Sequence, residues 1–426
     1  MKISVIGTGY VGTVSAACFA DLGHEVICVD IDKSKIDRIN AGIPPIYEEG
    51  LSELLKKYAG KRLHATSDYD FAIKNSEVSF LCVGTPPDPR GNIDLGIVKA
   101  AGAGIGRSLG TKKGYHVIVV KSTVVPGTTE TVVLPAIEEH SGKHIGEFGI
   151  AMNPEFLREG KAVHDFMNPD KIVVGSMDKK SADLVASLYQ GLKCDVIRTN
   201  LRTAEMIKYA NNAFLATKIS FANEIGNICK ELGIDTYEVM KAIGRDFRIG
   251  PHFLNSGAGF GGSCFPKDVK ALIGKARETG YEPELLNSVL EVNEKQPHRM
   301  VSLLKDKLGS IKGKKIAVLG LAFKNDTDDI RESRSIPVIK ELLDNGANVS
   351  AYDPMANGNM KKIFNIKYYG SAIDALRGAD ACLVMTEWDE FRSLDKEFDV
   401  MEKKLVIDGR HMLTPGKDVE YVGLCW

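Results

Sequence analysis

A β-rich run, Lys2–Ile6, leads without a break into Gly7-Thr8-Gly9-Tyr10-Val11-Gly12, and a stretch free of Gly and Pro continues to Leu22. No other feature constrains the fold as tightly. It predicts strand, tight turn and helix, the opening unit of a doubly wound sheet. Gly7 permits the turn, Gly9 lets a pyrophosphate approach the backbone, and Gly12 lets helix and strand pack closely. The pyrophosphate would then sit at a helix N-terminus, where unpaired N–H groups and the dipole favour an anion. Alone, G-x-G-x-x-G is a weak signal. Here Asp30 follows the next β-rich run, Glu25–Val29, roughly 20 residues after the last glycine, where such units carry the acid for the ribose hydroxyls. A carboxylate there repels a 2′-phosphate, so the expected cofactor is NAD rather than NADP. A glycine-rich turn in some other α/β protein would leave strand, helix and Asp30 as coincidence. Lys35 either contacts the adenosine ribose or is an exposed helix lysine.

The alternation continues. Val78–Val83, Val117–Lys121, Phe148–Met152 and Lys171–Val174 read as further strands bounded by breakers, which predicts a mainly parallel sheet covered on both faces. From Leu201 to Leu232 there is no Pro and only Gly226, and apolar residues recur at Met206, Ile207, Ala210, Phe214, Ile219, Phe221, Ile225 and Ile228. This predicts one helix of about 30 residues, about 45 Å long. It outspans a small domain and is expected to be both connector and subunit contact. More helix should follow to Leu308. A second α/β segment opens at Lys314–Leu319, with Asn348–Tyr352, Ala381–Met385 and Lys404–Ile407 as its other strands. The expected fold class is α/β, with two Rossmann-like doubly wound domains joined by a long central helix and a helical middle domain. The expected divisions are 1–197, 198–308 and 309–426, in keeping with roughly 100–200 residues per domain.

Composition narrows the function. Lys plus Arg number 55 against 56 Asp plus Glu, for a net charge of −1, so bulk electrostatic binding of nucleic acid is not expected. No apolar run approaches the ~18 residues of a membrane helix. The 8 cysteines are scattered without C-x-x-C or paired Cys/His spacing, so no metal site is expected. Scattered thiols in a long chain fit a reducing, cytoplasmic compartment.

Four stretches carry candidate chemistry. Gly257-Ala258-Gly259-Phe260-Gly261-Gly262-Ser263-Cys264 has a glycine-dense backbone, expected to be flexible and uncovered so that Cys264 faces a ligand. Lys267 and Asp268 follow, a cation beside the thiol and a carboxylate for proton transfer. The other seven cysteines read as small packing residues. On the long helix Lys208 and Asn212 share a face, and Asn211-Asn212 is a poor mid-helix choice unless an amide is needed. A solvated face with a surface lysine is the plainer alternative. Asn153–Gly160 and Lys121-Ser122-Thr123 each follow a strand, where loop groups line a crevice, cap a helix or simply carry surface charge.

Together Gly7–Gly12 with Asp30, Lys121–Thr123, Asn153–Gly160, Glu205–Asn212, Gly259–Asp268 and Phe323–Ser333 occur in the order seen in nucleotide-sugar dehydrogenases. The chain resembles that family, the UDP-glucose/GDP-mannose dehydrogenases, over nearly its whole length. Phe265 after Cys264, and Glu155-Phe156-Leu157, look more like the UDP-glucose branch. The resemblance implies an NAD-dependent, four-electron oxidation of UDP-glucose to UDP-glucuronate. The same chemistry on GDP-mannose or a UDP-N-acetylhexosamine remains open, as do a two-electron hydroxyacid dehydrogenase and a non-catalytic NAD-binding protein.

The resemblance also assigns roles. Cys264 would be the nucleophile that traps the aldehyde as a thiohemiacetal, later a thioester. Lys208 and Asn212 would stabilise the oxyanion, and Asp268 with Thr123 would activate a water. Glu159 would assist hydrolysis and Glu155 support the site or the sugar. Cofactor contacts would come from Gly7, Gly9, Tyr10, Val11, Gly12 and Asp30. Lys35, Thr85, Ser122, Thr123 and Lys267 would add to them, with Glu159 and Arg331 closing over the cofactor. Phe156 and Leu157 would meet the sugar. Phe253, Asn255, Gly257 and Gly261 would surround the diphosphate and uridine, with Lys324 and Arg410 supplying charge. Arg248 would reach a neighbouring subunit, since a homodimer through the long helix is the expected assembly.

Overall fold

Eight strands form the first sheet: β1 Lys2–Ile6, β2 Glu25–Val29, β3 Leu63–Thr66, β4 Val78–Leu81, β5 Val117–Val120, β6 Gly149–Met152, β7 Lys171–Ser176 and β8 Asp195–Thr199. Their order is β3-β2-β1-β4-β5-β6-β7-β8. The first six run parallel in the doubly wound order, and β7 pairs antiparallel to β6. The structure, a computed structural model, describes residues 1–89 and 91–426. It divides into two compact units, Met1–Ala210 and Asn211–Trp426.

Side-chain alternation builds the first core. In β5, Val117 and Val119 join one buried cluster while Ile118 and Val120 join the other, one on each face of the sheet. That is why the strand reads as an unbroken apolar run.

The second unit holds β9 Lys315–Leu319, β10 Asn348–Tyr352, β11 Lys367–Tyr368, β12 Ala381–Val384, β13 Leu405–Asp408 and β14 Glu420–Gly423. These run parallel in the order β11-β10-β9-β12-β13-β14, the Rossmann arrangement again. Asp353, just past β10, matches Asp30 just past β2. The Asp353 carboxylate accepts from Leu321 and Ala322 N–H at 2.6 and 3.0 Å. It also accepts from the Trp388 indole at 3.0 Å and lies almost fully buried.

The helix expected over Leu201–Leu232 has those bounds. It is followed by helices Thr236–Ile243, Phe265–Glu278 and Glu284–Leu308, the last carrying Pro297 in its interior. Four strands were not anticipated: β3, β8, β11 and β14. They are short, edge-side and partly polar. Among the described residues no helix is long and apolar enough to cross a membrane.

Candidate active site

The glycine turn closes β1 as expected. Gly7 has φ +95, and a Cβ on it would lie 2.9 Å from the Cys82 carbonyl oxygen. A Cβ on Gly12 would strike the Gly7 carbonyl. Around Gly9 a Cβ would meet nothing within 4 Å, so backbone is open where a pyrophosphate must approach. The helix Tyr10–Asp21 begins there without a side-chain cap, leaving its first N–H groups to a ligand. The Asp30 carboxylate accepts from the Thr8 N–H at 2.7 Å and its hydroxyl at 2.5 Å, and Lys35 Nζ stands 3.9 Å away. Partial burial works to raise the Asp30 carboxyl, yet these hydrogen bonds hold it below its usual value. It is therefore ionised at neutral pH, as recognition of a ribose and rejection of a 2′-phosphate require. These residues fit NAD.

Other expected residues of the first unit lie at carboxyl ends of the sheet. Ser122, after β5, donates its hydroxyl to the Val83 carbonyl at 2.7 Å, and Thr123 beside it is half-buried. Thr85, half-buried, follows β4. After β6, Glu155 is buried and pairs with Lys208 Nζ at 2.9 Å, both side chains almost inaccessible. Burial favours the neutral carboxyl, but Lys208 and the Leu157 N–H hold Glu155 below its usual value. Lys208 also lies 5.4 Å from the centre of the Phe156 ring. Glu159 is half-buried in a loop gripped from two sides. The N–H of Gly160 donates to the Tyr10 hydroxyl at 2.8 Å and to Glu48 at 2.9 Å, and Ala162 N–H donates to Glu48 at 2.7 Å.

Cys264 heads the helix Phe265–Glu278 as its N-cap and is the only exposed cysteine among the described residues. The Ser263 hydroxyl is 3.6 Å from its sulfur. Asp268, one turn on, is buried between two donors, Lys267 Nζ at 2.6 Å and Asn212 Nδ2 at 2.7 Å. The mid-helix asparagine thus has a use for its amide. Lys208 and Asn212 are four residues apart on one helix.

The glycine loop before Cys264 corrects the expectation of a flexible, uncovered backbone. Gly257 to Gly262 are all buried. Gly257 N–H donates to Asn223 Oδ1 at 2.7 Å, and Gln296 donates to the Gly257 carbonyl at 2.9 Å. Asn293 holds both backbone groups of Phe260, at 2.7 and 3.0 Å. The glycines are there for close approach: a Cβ on Gly261 would fall 2.2 Å from the Glu332 carbonyl oxygen. Solvent reaches the segment at half-buried Ser263 and at exposed Cys264.

Several of the expected substrate residues of the second unit, and Arg331 expected at the cofactor, lie about this loop. Gly257 abuts the Gly409 carbonyl, next to Arg410. Arg410 donates to the Met385 carbonyl at 2.8 Å and approaches Glu387 at 3.2 Å. Gly262 packs on the Phe323 ring, next to Lys324, whose Nζ donates to the Asn325 carbonyl at 2.7 Å. Gly262 N–H donates to the Arg331 carbonyl at 2.9 Å, while the Arg331 guanidinium pairs with Asp329 at 2.6 Å. Phe253, at φ 62, lies 6.3 Å from the Phe265 ring, and Asn255 is exposed. Arg248 is exposed and paired with Asp246 in its own loop.

Known proteins repeat this layout. Residues 1–193 match the UDP-glucose/GDP-mannose dehydrogenase family, NAD binding domain. Residues 202–295 match its central domain, and 317–415 its UDP binding domain. The chain belongs to the UDP-glucose/GDP-mannose dehydrogenase family. Within the family it is 52% identical to a UDP-glucose 6-dehydrogenase of Haloferax volcanii, over 100% of both chains. It is 46% identical to one of Bacillus subtilis, over 97% of this chain and 90% of that one. A solved UDP-glucose dehydrogenase from Pyrobaculum islandicum superposes with a TM-score of 0.94 at 42% identity, covering 100% of this chain and 98% of that one.

Four residues that hold these loops were not anticipated: Glu48, Asn223, Asn293 and Gln296. Asn293 and Gln296 carried a faint signal, two amides three apart within one helix, where asparagine is disfavoured without a partner. Glu48 sits among loop charges and carried none.

Proposed function

We propose that the chain takes UDP-glucose through two successive oxidations to UDP-glucuronate, with NAD as oxidant. The observation that carries this is Cys264, an exposed thiol heading a helix beside the Lys267–Asp268–Asn212 chain, whose acid and amide are buried. A single oxidation of an alcohol needs no nucleophile. Two oxidations with one cofactor site need the aldehyde held in between. Bound NAD supplies the acceptor for the hydride leaving C6 in each oxidation. Cys264 Sγ adds to the aldehyde carbon, forming the C–S bond of a thiohemiacetal that becomes a thioester on the second oxidation. Unpaired N–H groups at the helix start favour the charge that this sulfur carries as nucleophile and leaving group.

Lys208 and Asn212 are the donors for the oxyanion, the electrostatic task worth most. Asp268, with Thr123, orients a water and takes its proton as the water attacks the thioester carbon. The C–S bond then breaks, returning the thiol and releasing the carboxylate. Glu159 assists that hydrolysis and Glu155 sets the position of Lys208. Phe156 and Leu157 face the sugar, while Lys324 and Arg410 meet the diphosphate beside Phe253, Asn255, Gly257 and Gly261. Gly7 to Gly12, Asp30, Lys35, Thr85, Ser122, Lys267 and Arg331 hold the cofactor.

The working division is 1–197, 198–308 and 309–426. The assembly is a homodimer through the long helix, with Arg248 reaching the neighbouring subunit. Phe214, Phe221 and Ile228 support the dimer: they are 49–65% exposed and recur every seven residues along one helix face.

The deciding measurement is NADH yield per mole of each nucleotide sugar offered singly. Two per UDP-glucose, with no comparable yield from GDP-mannose or a UDP-N-acetylhexosamine, is the expected result. One per sugar indicates a two-electron enzyme, and none with any sugar sinks the reading. Cys264→Ser should abolish acid formation, and acid made at a near-normal rate by that variant refutes the thioester route.

A further inference from the structure

Glu205, in the second turn of the helix Leu201–Leu232, is fully buried. One oxygen of its carboxylate accepts the Gly127 N–H at 2.6 Å. The other accepts the Thr129 N–H at 2.8 Å and the Thr129 hydroxyl at 2.6 Å. A carboxylate so buried is costly unless its lone pairs are met, and here three donors from one loop meet them. The segment it grips is irregular: Thr129–Val133 is a π-turn leading into the helix Leu134–Ser141, and π-turns concentrate at functional sites.

The loop that enters this turn carries Thr123. On one side of Thr123, the Ser122 hydroxyl is tied to the Val83 carbonyl at 2.7 Å. On the other, the Val125 carbonyl takes the Thr128 N–H at 3.1 Å and the Thr128 hydroxyl at 2.7 Å, and then Glu205 takes Gly127 and Thr129. Lys208 lies three residues beyond Glu205 on the same helix. One buried carboxylate therefore sets the register between the loop of Thr123 and the helix of Lys208.

We propose that Glu205 is a positioning residue that holds the Thr123 hydroxyl where it orients the hydrolytic water. The proposal rests on the role given above to Thr123. It does not make Glu205 a catalytic residue, because its oxygens are occupied by the loop.

The test is a double-mutant cycle of Glu205→Gln with Thr123→Ala, read as kcat and KM on UDP-glucose, with thermal melting followed separately. Glutamine keeps the shape but turns an N–H donor toward donors. We expect Glu205→Gln to lower kcat about tenfold, about 1.4 kcal/mol, with KM within about twofold of the wild type. In the Thr123→Ala background the same change should lower kcat by less than about twofold, because the group it positions is gone. A full, multiplied loss in that background, or a normal kcat in the single variant, overturns the proposal. Should Glu205→Gln not fold, Thr129→Val removes one of the three donors, and the same cycle decides. A wild type that oxidises no nucleotide sugar overturns the functional reading and this proposal with it. Failures confined to the variants overturn only the positioning role.

Discussion

In the buried pair Lys208–Glu155, attraction and hydrogen bonding offset what desolvation costs. Neither ion can reach water, so removal of one strands the other. Glu155→Gln should cost about 3–5 kcal/mol in denaturant-unfolding stability, and Lys208→Met added to it should recover part of that loss. Because Glu155 titrates below its unfolded value, the pair's contribution is full above the ordinary carboxylate range. It is lost as pH falls through the lowered native value. Lys121 has the opposite sign. It is buried against Asn153 Oδ1 at 2.9 Å, and burial pushes its ammonium down to about 8. The unfolded chain thus binds the extra proton between pH 8 and the ordinary lysine range, and stability relative to Lys121→Met should rise with pH there. The limiting slope is about 1.4 kcal/mol per pH unit. A flat difference between the two proteins over that window would show that Lys121 keeps its proton.

At the scale of elements, the glycine loop before Cys264 behaves as a rigid bracket. Gly261→Ala should strongly depress both stability and activity, since its methyl would drive into the Glu332 backbone. Asn293→Leu, which strips both hydrogen bonds from Phe260, should instead loosen the bracket and raise the rate of Cys264 alkylation by iodoacetamide. This loop also marks where sequence reading stops. The run of glycines was visible, but flexibility and close approach leave the same trace in a sequence. The difference lies in Asn223, Asn293 and Gln296, which are distant in the chain and brought in by tertiary packing. By contrast, the helix Leu201–Leu232 and strands β1, β2 and β10 were legible to the residue, because period and breakers are local. β3 and β14 were not, since short edge strands owe their form to neighbours. The same split holds in the site. Asp30 and Cys264 stand out by spacing and context, whereas Glu48 and Glu205 act by reaching across to another loop.

For the whole molecule, the exposed face of the long helix makes a direct demand. Phe221→Glu should convert the proposed dimer to monomer in sedimentation while leaving the circular dichroism spectrum unchanged. A wild type that sediments as a monomer would overturn the assembly. The first six strands of the eight-stranded sheet follow the same order as the six of the second sheet, and each has an acid after its second strand, but the two acids meet different surroundings. The Asp30 side chain, 9% accessible, is bonded among the described residues only by its loop neighbours Thr8 and Asp32, with Lys35 beyond. Around Asp353 the Trp388 indole closes the corner. The duplicated architecture is therefore functionally single-valent for dinucleotide: calorimetric titration should saturate at one NAD per chain, because the acid of the second crevice is already occupied by the Trp388 indole and the Leu321 and Ala322 N–H groups.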